Sequence, residues 1–183
     1  MSSELLKPFD RVRALRFDQE GLALLDQRIL PHRSEWLPMA DADAVADAIR
    51  ALIVRGAPAI GIAAAYALVL TARAIAGLPD EERRAEFAAV AARLREARPT
   101  AVNLMWAIDR MLGRCGANPD PALVLAEAEA IDAEDLAANY RMAMTGAGFI
   151  AQGSGVLTHC NTGSLATAGL GTALGVIRAA FAE

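Results

Sequence analysis

The spacing of hydrophobic positions changes twice along the chain. Over the first forty residues they fall in short runs, Ala14–Asp18 (ALRFD) and Leu22–Gln27 (LALLDQ), separated by Gln19-Glu20-Gly21. Runs of that length around a Gly-containing gap predict a β-hairpin with Gly21 at positive φ. Ser34–Met39 (SEWLPM) predicts a third strand, kept short or at a sheet edge by Pro31 and Pro38. From Ala40 the period becomes helical. Asp41 or Asp43 caps a helix carrying Val45, Ile49, Leu52 and Ile53, with Gly56 as the residue that ends it and Pro58 blocking continuation. A second helix, about Ala59 to Ile75, is apolar nearly all round and rich in Ala and Gly, which predicts a central, closely packed helix.

Three more helices follow: a charged one from Asp80 to Ala97, one from Ala101 to Leu112 capped by Thr100, and a long one from Pro121 toward Gln152. The last thirty residues change character again. Val156–Cys160 (VLTHC) predicts a short strand, Asn161–Ser164 a polar turn, and Leu165–Phe181 a helix, which together make a βα unit. The expected fold class is α/β overall: a small N-terminal antiparallel sheet with a helical bundle over residues 1–154, then a βα unit over 155–183.

Composition narrows the function classes. Hydrophobic residues make up 55% and charged residues 22%, with a net charge of −4. No Lys/Arg cluster supplies the basic face by which nucleic-acid binders displace counterions, so no nucleic-acid partner is expected. The longest apolar run, Ala57–Ala72, contains Pro58 and Gly61 and is closed by Arg73. It is read as too short for a membrane span, and no secretory signal opens the chain. A cytoplasmic protein is expected. Two cysteines are too few for a disulfide scaffold.

Cys160 is the residue of most chemical interest. A thiol at the C-terminal end of a strand, before a helix, stands at the edge where α/β sheets bind ligands, and a helix N-terminus there favours thiolate and anion. The alternative is a small buried residue that ends a strand. Strand alternation points His159 and Cys160 to opposite faces, which disfavours a Cys–His pair. His32, Cys115, His159 and Cys160 lack zinc-site spacing, so no metal is expected. His32 reads as a surface or turn residue, Cys115 as structural or incidental, and Asp109 as a solvated acid rather than an inward-facing one. Arg55-Gly56-Ala57 opens the apolar helix, where backbone N–H groups and a guanidinium suit a phosphate; a plain helix connection with its Arg in water is the competing reading. Arg98 precedes another helix start. Convergence of these loops is not given by spacing.

Three segments carry a resemblance: RGAPAIGIAAAYA (Arg55–Ala67), RPTAVNLMWAIDRM (Arg98–Met111) and LTHCNTGSLATAGLGTALGVIR (Leu157–Arg178). With LLDQRILP (Leu24–Pro31), they resemble the methylthioribose-1-phosphate isomerases, in order and over nearly the whole chain. The resemblance implies an aldose–ketose isomerase of methionine salvage that converts 5-methylthioribose 1-phosphate to 5-methylthioribulose 1-phosphate without a cofactor. It implies Cys160 as catalytic residue and Arg55, Gly56, Ala57 and Arg98 as substrate-binding residues. It also implies that 155–183 begins a Rossmann-like domain, that the catalytic Asp lies in a segment absent here, that the chain alone is inactive, and that relatives are homodimers. The related alternatives are a regulatory module of the initiation-factor-2B-like superfamily and a ribose-1,5-bisphosphate isomerase. A partial sequence, a truncated product and one piece of a split enzyme all fit the length.

Overall fold

A computed structural model describes residues 3–182. After a short 3-10 helix, Ser3–Phe9, comes an antiparallel sheet of β1 (Leu15–Asp18), β2 (Gly21–Leu25) and β3 (Trp36–Pro38), in that spatial order. The hairpin forms as expected. Asp18 pairs with Gly21, the Glu20 N–H donates to the Asp18 carboxylate (2.8 Å), and Gly21 takes φ +107°. β2 is the middle strand, and Leu22 to Leu25 are all buried. Pro38 lies on the edge strand, where its missing N–H removes no ladder bond.

Five helices follow before the C-terminal region: α1 (Ala42–Arg50), α2 (Ala57–Ala74), α3 (Asp80–Arg95), α4 (Val102–Cys115) and α5 (Pro121–Ala147). α1 starts where the sequence places it, because the Asp41 carboxylate accepts the Ala44 N–H (2.8 Å). Its end differs. Leu52 and Ile53 are not helical. Leu52 takes φ +59° and donates to the Ile49 carbonyl, while Ile53 donates to that of Ala48. This Schellman closure satisfies the last carbonyls with a leucine in the left-handed position usually given to Gly. Gly56, expected as the stop of α1, is instead the N-cap of α2. The α4 cap is also corrected: Ala101 holds that position, with no side-chain bond, in place of Thr100.

α2 is the hub, packed by α1, α3, α4, α5 and the sheet. Its Ala/Gly content serves close approach. A Cβ on Gly61 would lie 2.7 Å from the Asn103 carbonyl oxygen of α4. The sheet seats on α2 through Phe17, stacked on Tyr66 with ring centroids 4.7 Å apart. From the sequence this apolar run reads as too short to span a bilayer. The helix is 18 residues long, enough by length and composition, but 72% of it is buried inside the fold, so its apolar surface is already covered.

The C-terminal region departs most from expectation. Residues 156–160 form no strand, and 151–160 are exposed throughout. A strand needs a ladder partner for its N–H and C=O groups, and none of the described residues supplies one. The opposition of His159 and Cys160 across a strand therefore loses its basis. The helix expected from Leu165 is a single 3-10 turn, Ser164–Ala166, followed by a buried irregular stretch; α6 (Ala173–Ala182) begins only afterwards. Leu170 and Gly171 have positive φ (59° and 91°), which interrupts any helix through them. α6 packs along α5, where Val176 Cγ1 would lie 2.7 Å from a Cβ on Gly146.

Candidate functional site

The starts of α2 and α4 open onto one cleft of about 710 Å³. One wall is Leu52 with Arg55-Gly56-Ala57-Pro58, a second is Arg98 with Thr100–Asn103, and the third is Cys160-Asn161 with Ala166, Thr167 and Thr172. All five site residues expected from the sequence, Arg55, Gly56, Ala57, Arg98 and Cys160, therefore line the same space. Spacing alone had left that convergence open.

Each wall has a local cause. Gly56 has φ +102°, and a Cβ there would lie 2.4 Å from Ala166 Cα. Only glycine allows the α2 entrance and the third wall to touch. Pro58 occupies the first turn of α2, where its missing N–H is harmless. Neither α2 nor α4 has a side-chain cap. The first-turn N–H groups of both helices are left for solvent or a ligand, and both dipoles place partial positive charge on the cleft.

The electrostatics agree. The cleft lining contains two arginines and no carboxylate. Arg55 is exposed and Arg98 half-buried. Among the described residues neither forms an ion pair, although Arg13, Arg28, Arg50, Arg83, Arg93, Arg95 and Arg110 all do. Cys160 is a free, exposed thiol held at φ +67°, a conformation that costs energy in a non-Gly residue and clusters at functional sites. A cleft of this kind suits a phosphorylated small molecule with a nucleophile or proton carrier beside it. No three His, Cys, Asp or Glu side chains converge as a metal-ligand set among the described residues.

Residues that the sequence reading passed over hold the third wall. The Asp135 carboxylate of α5 accepts the Ala168 N–H (2.8 Å), and that of Asp10 accepts the Leu170 N–H (2.9 Å) and the Tyr140 hydroxyl (2.9 Å). Arg178 donates to the Ser164 hydroxyl (2.8 Å). Burial raises the Asp135 carboxyl above its usual range, against its hydrogen bonds. At Asp10 burial also pushes upward, but hydrogen bonds from Arg13 and Tyr140 outweigh it and hold the carboxyl below that range. No local pattern marks these acids; only contacts across more than thirty residues do. The remaining candidates stay apart. Asp109 is exposed and pairs with Arg95, Cys115 is buried, and His32 is exposed in the connection between β2 and β3.

Fold and cleft define the class first: a mixed α/β protein whose helical body presents two helix N-termini, two unpaired arginines and a thiol to one anion-suited cleft. More particularly, the chain belongs to the Initiation factor 2 subunit family, which it matches over residues 53–183. It is 58% identical over 174 residues to a methylthioribose-1-phosphate isomerase of Alkalilimnicola ehrlichii, covering 94% of this chain and 50% of that protein. A Xanthomonas campestris protein of the same name is 56% identical over 177 residues, covering 96% and 50%. Among solved structures, the 5-methylthioribose 1-phosphate isomerase of Pyrococcus horikoshii superposes with a TM-score of 0.88 at 34% identity, covering 100% of this chain and 52% of that one. The translation initiation factor eIF-2B subunit delta of A. fulgidus superposes at 0.82 with 39% identity, covering 93% and 51%. The chain spans about half the length of the relatives it matches.

Proposed function

We propose that this chain supplies the phosphate-binding side and the reactive thiol of an aldose–ketose isomerase that converts 5-methylthioribose 1-phosphate to 5-methylthioribulose 1-phosphate. The observation that carries the reading is the meeting of Arg55, Gly56, Ala57, Arg98 and Cys160 on one cleft that contains no carboxylate. The names and identities of the relatives support the substrate.

In this scheme the sugar phosphate places its anion against the N–H groups at the starts of α2 and α4, and Arg55 and Arg98 clamp it by charge-assisted hydrogen bonds. The phosphate on C1 blocks free ring opening, so the site must assist that step and then move hydrogen from C2 to C1. The ring C1–O bond breaks and its oxygen takes a proton, the C2–H bond breaks as a C1–H bond forms, and the C2 hydroxyl gives up its proton on becoming a carbonyl; C2 is oxidised as C1 is reduced, so no external oxidant or reductant is needed. Cys160, on the cleft lining, exchanges a proton with the reacting carbons or their oxygens in this scheme. The scheme uses no metal or organic cofactor.

Residues 155–183 are read as the start of a second, Rossmann-like domain. The unpaired 156–160 segment and exposed Phe149 (85%), Leu157 (96%) and Phe181 (80%) are what such a domain would cover. The acid–base partner of Cys160 would come from that domain. A homodimer in the cytoplasm goes with this reading.

The experiment is an isomerase assay of the 183-residue chain alone and mixed with the C-terminal half of the Alkalilimnicola relative, using wild type and Cys160→Ser. Turnover that requires the added half and is lost in folded Cys160→Ser is expected. Undiminished turnover in the variant removes the catalytic role of Cys160. A second reading, a non-catalytic regulatory module, has in its favour the likeness to the A. fulgidus subunit; absence of turnover under every condition supports it. A ribose-1,5-bisphosphate isomerase would instead prefer that sugar in a parallel assay.

A further inference from the structure

Gln27 follows β2, makes no part of the cleft lining and is only 9% exposed. Its main-chain N–H donates to the Ile53 carbonyl (3.0 Å), two residues before Arg55. Its Nε2 donates to the Leu165 carbonyl (2.9 Å), next to Ala166. One residue thus bonds to the approaches of two cleft walls that are more than a hundred positions apart in sequence. We propose that Gln27 is a positioning residue of the cleft, setting the register between the Arg55 wall and the Cys160-side wall. This rests on the reading of the cleft as a phosphate site.

Two features make the role specific. Gln27 is itself anchored. The Asp26 N–H donates to the Glu35 carbonyl (2.9 Å), and the buried Asp26 carboxylate accepts from the Arg28 N–H (3.0 Å), Nε (2.9 Å) and Nη2 (2.7 Å). Its side-chain amide therefore projects from a backbone hydrogen-bonded to Glu35 and Ile53. The direct contact between the walls, Gly56 against Ala166, is purely steric. It sets how closely they approach but permits sliding, because dispersion contacts have no direction. A hydrogen bond does have direction, and among the described residues the Gln27 amide supplies it between these walls. Anion sites need their donors held within about half an ångström, so the register is a binding parameter.

The test measures inorganic phosphate affinity by amide chemical shifts of the full 183-residue chain, with unfolding temperature read alongside. Gln27→Met keeps length and shape but removes the donor. Gln27→Glu puts an acceptor against the Leu165 carbonyl. Thr71→Val removes a buried hydrogen bond (to the Ala67 carbonyl, 3.1 Å) on α2 outside the cleft, and so controls for general destabilisation. Phosphate affinity is expected to fall about fivefold to twentyfold in Gln27→Met, at least as far in Gln27→Glu, and not in Thr71→Val. Wild-type affinity in Gln27→Met, or equal loss in Thr71→Val, overturns the proposal. If wild type binds no phosphate, or Arg98→Ala binds it undiminished, the phosphate reading of the cleft fails and carries this proposal with it; the two failures are therefore distinct.

Discussion

Two thiols sit in opposite surroundings. Cys160 is exposed, while Cys115 is fully buried, and burial with the nearby Glu127 charge pushes its thiol up to about 11. Thiolate is the reactive form. Titration with a thiol reagent near pH 8 should therefore label one cysteine in the native chain and a second only in denaturant, with Cys160→Ser removing the fast phase. Two labelled thiols before denaturation would contradict the burial of Cys115. At Gly56 the limit is steric. Gly56→Ala is expected to cost about 3 kcal/mol, from the left-handed φ and the collision with Ala166. Gly77, which has nothing within 4 Å of a Cβ, should accept Ala within about 0.5 kcal/mol. Urea midpoints check both. Cys160 and Gly56 stand out in the sequence because their motifs are local. The reason Gly56 must be glycine was not, since it is Ala166, 110 positions away.

The starts of α1 and α5 obey local chemistry, and the end of α1 does not. Asp41 and Asp120 each cap the helix that follows, and the Asp120 carboxylate takes two N–H groups, those of Ala122 (2.9 Å) and Leu123 (3.2 Å). Asp120→Ala should lower stability by about 1 kcal/mol, read as a shifted urea midpoint; an unchanged midpoint would mean that the cap carries no net energy. The end of α1 misled because Leu52 and Ile53 continue the apolar spacing, while hydrogen bonds to Ala48 and Ile49 close the helix first. The segment 156–160 misled for a related reason. Its residues favour a strand, but a strand is a pair property, and no described residue completes the pair.

At the scale of the whole molecule, buried carboxylates join distant segments and make stability depend on pH in two opposed ways. Asp10 and Asp26 lie below the usual carboxylate range: Asp10 because hydrogen bonds from Arg13 and Tyr140 overcome burial, Asp26 because the Arg28 hydrogen bond overcomes desolvation. Each stabilises the fold above its unfolded value, near 3.8, and that contribution is lost as pH falls through the folded value. Asp132 and Asp135 are raised by burial, so they cost stability as pH rises above 3.8. Asp10→Asn should thus be destabilising near neutrality, with its deficit shrinking on acidification. Asp132→Asn should gain on wild type as pH rises from 3.8 and then level off. Urea midpoints across about pH 3–7 would show both, and a parallel pH profile for either variant would refute its assignment.

From sequence alone came the hairpin, the starts of α1, α3 and α5, the centrality of α2, and, through a family resemblance, the five residues that line the cleft. Each depends on a period, a cap or a short motif, and all of these act within one or two turns of chain. The cleft itself belongs to the tertiary structure. Its walls meet because Gly56 admits Ala166, because Gly61 lets α4 lie close on α2, and because Gln27, Asp10 and Asp135 hold a segment that is irregular apart from one 3-10 turn. Those contacts join residues 33 to 160 positions apart, and directional bonds over such separations leave no periodic trace in the chain.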